Sequence, residues 1–219
     1  MTASLRTFNE RLALSCPEMS VDDLAIVRAS YQVLIDGDDA TLHAIAERAG
    51  VSFETADAII AKRPGIARWS VDGHLRGYLG LSLEPSPHTI EIAGTQRWVW
   101  CAWDGLFIPI ILGTTASLTS ACPITRAPIS VVVSPHRVVD AQPTAALMSF
   151  IGSVGPAGNG VGACCPFIHF LQSDEAGKRW QASHPTGCVL SLGQAFQLAK
   201  TFVDTKLSGT SLPRPCSTC

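Results

Sequence analysis

The most apolar part of the chain is a twelve-residue run, Trp98-Val99-Trp100-Cys101-Ala102-Trp103-Asp104-Gly105-Leu106-Phe107-Ile108-Pro109. Such a run must be buried, and it carries inward a thiol and, three residues on, a carboxylate. Burying an unpaired carboxylate is costly, because the charged form loses its hydration. If the chain turns helical at the cysteine, a spacing of three puts Cys101 and Asp104 on one face. Continued to Gly113, the run is still too short for an ordinary membrane span, and Asp104, Gly105 and Pro109 interrupt it. It is therefore core.

The rest of the chain can build that core. It has 219 residues, 47% hydrophobic and 16% charged, the balance of a folded protein rather than a disordered one. A net charge of -2 exerts no strong pull towards nucleic acid or acidic lipid. Met1 to Glu10 is polar, so no export signal is expected and the expected compartment is the cytoplasm. Eight cysteines, at 16, 101, 122, 164, 165, 188, 216 and 219, are scattered unlike a small disulfide scaffold. In a reducing cytoplasm they are free thiols, suited to soft-metal or redox chemistry or serving as small buried hydrophobes.

The first part of the chain reads as helical. Ser20 caps a helix with Leu24, Val27, Tyr31, Leu34 and Ile35 at helical spacing, ended by Gly37. A second helix is expected from Asp39 to Ala49, stopped by Gly50, and a third after Ser52, stopped by Pro64-Gly65. Ile66–Val71 and Leu75–Leu79, joined through Asp72-Gly73, read as a hairpin. Three helices and a hairpin form a winged-helix-like pattern over residues 1–82. The third helix carries Glu54 and Asp57 and no base, which argues against DNA binding.

Pro85 and Pro87 mark a boundary. Beyond it, strands are expected at His88–Ile92, Gln96–Trp100, Ala116–Ser120, Ile129–Val133, Ala145–Phe150, Cys164–Phe170 and Cys188–Leu192. Helices are expected at Ala176–Ser183 and Gly193–Thr201. Without a βαβ rhythm the class is α+β: a mainly antiparallel-sheet domain with peripheral helices, residues 83–212. A flexible cysteine-containing tail, 213–219, follows. The run Gly158-Asn159-Gly160-Val161-Gly162 lacks dinucleotide-loop spacing and reads as slack that lets Cys164 approach another element.

Trp-Cys-x-x-Asp (100–104), Cys-Pro-x-Thr with Arg126 and Pro128, Val-Val-Val-Ser-Pro (131–135) and Cys-Cys-x-x-x-His-Phe (164–170) occur in this order. Together they resemble the organomercurial, or alkylmercury, lyases over Trp98–Gly113, Thr119–Pro135 and Gly162–Ser183. The resemblance implies cleavage of R–Hg–X to the hydrocarbon R–H and Hg(II), in mercury detoxification. It implies Cys101 and Cys164 as mercury thiolates and Asp104 as proton shuttle, near Hg(II) afterwards. Cys165 matches a non-catalytic neighbour, as strand alternation would also have it. Cys122 matches a cysteine usually regarded as structural.

The chemistry suits these residues. Mercury is a soft cation that prefers thiolates. A second thiolate on the metal weakens the carbon–mercury bond, and a carboxylic acid supplies the proton that the departing carbon needs. Apolar surroundings, here the tryptophans, raise a carboxyl pKa towards neutrality. Trp100 serves as apolar shield or as packing. Met148, Phe150 and His169 read chiefly as core, Cys188 as packing and Cys16 as surface.

No organic cofactor is implied. An external small thiol is expected to draw Hg(II) off the site, and a mercuric reductase is the expected acceptor. Cys216 and Cys219, a CxxC in the tail, are candidates for handing Hg(II) on. No nucleic-acid or membrane partner is expected. The alternatives are a thiol-based metal- or redox-sensing winged-helix regulator and a passive metal carrier.

Overall fold

The N-terminal helices form where their caps are. In the computed structural model, which describes residues 19–37, 40–151 and 164–207, Ser20 and Asp23 make a reciprocal capping box that opens α1 (Val21–Asp36). Gly37, at φ 74°, closes it. The Thr41 and Ser52 side chains cap α2 (Leu42–Ala49) and α3 (Phe53–Ala61). The second helix thus starts three residues later than expected from Asp39, because the Thr41 hydroxyl accepts the N–H of Ala44.

β1 (Ala67–Trp69), β2 (Leu75–Tyr78) and β3 (Leu81–Ser82) follow. Next come β4 (His88–Ile92), β5 (Thr95–Val99), α4 (Asp104–Leu112), β6 (Ala116–Ala121), β7 (Pro128–Val133) and β8 (Val138–Gln142). The chain continues through β9 (Leu147–Ile151), β10 (Phe170–Leu171), α5 (Asp174–Ser183), β11 (Gly187–Ser191) and α6 (Leu192–Lys206). Eight strands form one sheet in the order β1-β2-β3-β5-β4-β6-β7-β8, and β10-β9-β11 form a second. Every pairing is antiparallel, so the fold is a mixed α/β one with mainly antiparallel sheets.

The order of three helices then a hairpin is present, but the hairpin does not stand apart. The two-residue strand β3, too short to show in the periodicity, joins β2 to β5, and the large sheet runs past Pro85 and Pro87 without a break. Helix α1 is tied to the same sheet by Arg97 of β5. Its guanidinium donates to the carbonyls of Leu34 (2.6 Å) and Ile35 (2.7 Å), where a cation satisfies the open carbonyls at a helix end.

The apolar run behaves as core. Its helix, α4, begins at the carboxylate rather than at the cysteine. Gly105 lets it approach β6 so closely that a Cβ there would lie 2.5 Å from Leu118 Cδ2. Trp103 packs against Phe107 and Phe202, with ring centroids 5.3 Å away in each case. Met148 and Phe150 are fully buried core residues, and Phe150 meets the Trp103 ring edge-on.

One expected strand is not formed. Cys164–Phe170 is extended only at Phe170–Leu171, and Cys165–Phe167 is a 3₁₀ turn. Pro166 has no N–H to give to a ladder and favours the turn. The Cys164 and Cys165 carbonyls instead accept from Phe167 (3.0 Å) and Ile168 (3.2 Å). The alternation of faces that separated Cys164 from Cys165, and His169 from Cys164, therefore does not apply. Among the described residues no helix is long and apolar enough to cross a membrane.

Candidate active site

Three consecutive N–H groups fix the turn that carries Cys101. Trp100 N–H donates to the Gly80 carbonyl (2.8 Å), tying the turn to the β2–β3 connection. Cys101 N–H donates to Asp104 Oδ2 (2.8 Å). Ala102 N–H donates to the Ile168 carbonyl (3.2 Å), tying it to the segment that carries the vicinal cysteines. That segment is itself held on β9 by Ser149, whose hydroxyl donates to the Phe167 carbonyl (2.9 Å) and accepts the N–H of His169 (3.0 Å).

These bonds bring Cys101, Asp104 and Cys165 together. One ligand atom from each lies within 4.8 Å of the other two, and among the described residues no other group of three His, Cys, Asp or Glu side chains meets that condition. Cys101 and Asp104 are buried, at 1% and 4% exposure, and Cys165 is half-buried. Cys164, the cysteine expected to face Cys101, is not a member of this group. The 3₁₀ turn, in place of a strand, presents the second of the two cysteines.

The three tryptophans of the run are not equally buried. Trp98 and Trp100 are half-buried, and Trp103 points into the core shared with α6, its Nε1 donating to the Ala195 carbonyl (3.4 Å). Asp104 packs on the backbone of Gly80, and its charge acts on the fully buried Tyr31. Trp100 carries the Arg68 guanidinium 4.4 Å over its ring. Gly80, Tyr31 and Arg68 are neighbours that the sequence did not single out. The one local cue was a glycine set between two short apolar segments, Tyr78-Leu79 and Leu81.

Burial pushes the Asp104 carboxyl up to about 6, against the Cys101 thiol and N–H that hydrogen-bond to it and the Arg68 charge, all of which lower it. Burial also pushes the Cys101 thiol well above its ordinary range, helped by its hydrogen bond with Cys165 and by the Asp104 charge. At neutral pH Cys101 therefore keeps its proton and shares it with a carboxylate poised to take it. Such an assembly can bind a thiophilic metal and hold the displaced proton beside it.

The other candidates are placed elsewhere. Cys122 opens a tight turn after β6. Desolvation raises its pKa, but hydrogen bonds from the Thr125 side chain and from the Gln172, Thr125 and Ile124 backbone outweigh it and hold the thiol below its usual value. Those bonds pin the turn to the end of β10, a structural use. Cys188 is buried in β11. The half-buried His169 ring lies 5.9 Å from that of the buried His88. Cys16, Cys216, Cys219 and the glycine-rich run lie outside the described residues.

A carboxyl with a raised pKa stabilises the folded chain below its unfolded value, and that contribution is lost as pH rises through the folded value. For Asp104 the window runs from 3.8 to about 6. The stability of the native protein relative to Asp104→Asn should fall by up to about 3 kcal/mol between pH 4 and pH 7. Denaturant unfolding across that range checks this, and a pH-independent difference would contradict it.

Known proteins share this arrangement of sequence and fold. The alkylmercury lyase family model, MerB, matches residues 81–204. The alkylmercury lyase of Streptomyces lividans is 32% identical over 189 residues, 86% of each chain. That of Bacillus cereus is 31% identical over 175 residues, 80% of this chain and 79% of its own. A crystal structure described as the mercury-bound form of MerB2 covers 92% of this chain and all of its own, at a TM-score of 0.68 and 24% identity, a likeness of fold. No regulator is among these relatives, and the sensing alternative draws no support from them. With a family match over more than half its length and relatives above 30% identity over most of it, the chain belongs to the alkylmercury lyase family.

Proposed function

We propose that the enzyme cleaves the carbon–mercury bond of organomercurials R–Hg–X by protonolysis, with Cys101 and Cys165 as the two mercury thiolates and Asp104 as proton carrier. The observation that supports this is the close grouping of these three side chains in a largely buried site. Mercury is the substrate's own metal, and no organic cofactor is required.

The Cys101 sulfur bonds to mercury, X⁻ leaves, and the thiol proton passes to the Asp104 carboxylate. The Cys165 sulfur adds to the same mercury and its proton goes to solvent. The carbon–mercury bond then breaks with its electron pair on carbon, which takes the proton from Asp104. R–H departs and Hg(II) remains between two thiolates, beside the carboxylate. Two external thiols then exchange onto Hg(II) and return protons to both cysteines.

Cys164, the thiolate implied by the sequence resemblance, is the competitor for the second place, and single variants separate the two. With phenylmercury and excess thiol, Cys101→Ala and Cys165→Ala should release no benzene, and Cys164→Ala should release it at close to the native rate. Asp104→Ala should still capture phenylmercury but cleave it about 10²–10⁴-fold more slowly. Native cleavage by Cys165→Ala would remove that residue from the mechanism, and substantial cleavage by Asp104→Ala would remove the proton carrier.

Residues 1–82 are proposed as a winged-helix-like unit that supports the site rather than reads DNA, 83–212 as the catalytic unit and 213–219 as the tail. The free thiols of Cys101, Cys122 and Cys188 suit a reducing cytoplasm. Cys216 and Cys219 are proposed to accept Hg(II) and pass it to small thiols or a mercuric reductase. Truncation after Pro215 should slow turnover in thiol-poor buffer and leave it unchanged in excess thiol; equal rates in both would exclude the tail.

A further inference from the structure

Asp104 is held by residues that lie before the start of the family match at position 81. Gly80 has φ +97°, and a Cβ on it would lie 2.6 Å from Asp104 Cγ, 2.7 Å from its Cβ and 2.9 Å from Oδ1. The backbone of Gly80 is thus one wall of the carboxylate's compartment. A short, buried side chain packed on that wall has little room to give way.

The wall is itself braced. The preceding Leu79 has φ 38°, a strained conformation for a residue with a side chain, which persists only where surrounding contacts impose it. Here the Tyr31 hydroxyl donates to the Leu79 carbonyl (2.7 Å) and the Leu79 N–H donates to the Ile66 carbonyl (2.8 Å). Tyr31 lies on α1 and is fully buried, as is Leu79. The Gly80 carbonyl then accepts the Trp100 N–H beside Cys101 (2.8 Å). One strained turn therefore touches the carboxylate through a Cα and the thiol's turn through a carbonyl.

Resting on the lyase function proposed above, we propose that Gly80 and Tyr31 are positioning residues for the proton transfer. The Leu79–Gly80 turn sets where the Asp104 carboxyl sits relative to Cys101 and keeps water from its other side. The N-terminal helical unit is thereby part of the catalytic apparatus. A side chain at position 80 would push Asp104 off the Cys101 N–H and weaken a hydrogen bond that favours its ionised form.

The test uses the full-length protein and one equivalent of phenylmercury in single turnovers. It compares native protein, Gly80→Ala, Tyr31→Phe and Gly94→Ala. Gly94 has φ +75° in open space, so Gly94→Ala carries a comparable left-handed strain with nothing pressed upon. Gly80→Ala should capture phenylmercury stoichiometrically but form benzene at least about tenfold more slowly, since displacements of an ångström in a reacting group have such effects. The limb of its rate profile that falls with rising pH should move to higher pH. Tyr31→Phe should give a smaller loss with the same direction of pH shift, and Gly94→Ala should behave as the native protein.

Equal rates and equal pH limbs in Gly80→Ala and Gly94→Ala would overturn the proposal. If Gly80→Ala does not fold, Tyr31→Phe decides alone, and a native rate with a native pH limb overturns it. Native protein that forms no benzene would overturn the lyase function itself, and the positioning role with it.

Discussion

A single hydrogen bond, from the Cys101 N–H to the buried carboxylate of Asp104, is the hinge of the structure. Neither partner is placed by its own helix turn. Cys101 stands before the helix and Asp104 is its first residue, so the carboxylate reaches back one turn. Such a bond favours the ionised carboxylate, while burial favours the neutral one. The opposition leaves Asp104 near the point where it can either accept or release a proton. A fully exposed carboxylate would stay charged, and one buried without partners would stay protonated; neither could both take up and give back a proton near neutral pH.

The fold serves this balance by converging on one turn. Three successive amides of residues 100–102 donate to three different parts of the chain: the β2–β3 connection, the first residue of α4 and the segment after the vicinal cysteines. Sequence neighbours thus tie together regions twenty and more than sixty residues away. The thiols meet because the 3₁₀ turn at Cys165–Phe167 is carried on β9 by Ser149 and on the Cys101 turn by Ile168. Two sulfurs drawn this close suit a soft metal.

Much of this was legible in the chain, because local signals agreed with the tertiary structure. Ser20 and Ser52 mark caps that form, Gly37 and Gly50 mark stops, and alternation marks β4 to β7. The pairing of Cys101 with Asp104 followed from burial and spacing. What could not be read was contributed by residues with no periodic signal. The two-residue strand β3 unites the sheet, and Pro166 turns an expected strand into a 3₁₀ turn at the vicinal cysteines, where Cys165 joins Cys101 and Asp104. Gly80 lies hard against the carboxylate. A backbone atom used as an active-site wall has no signature beyond a glycine, and only the φ and the distances give it meaning.

Whether Cys101 and Cys165 share one mercury atom is open to direct measurement. X-ray absorption at the mercury edge of full-length protein loaded with one equivalent of Hg(II), with small thiols removed, reads the sulfur coordination directly. The Cys101–Cys165 pairing predicts both thiolates on the metal in native protein and in Cys164→Ala, and one fewer sulfur in Cys165→Ala and in Cys101→Ala. Native sulfur coordination retained in Cys165→Ala and lost in Cys164→Ala would contradict it.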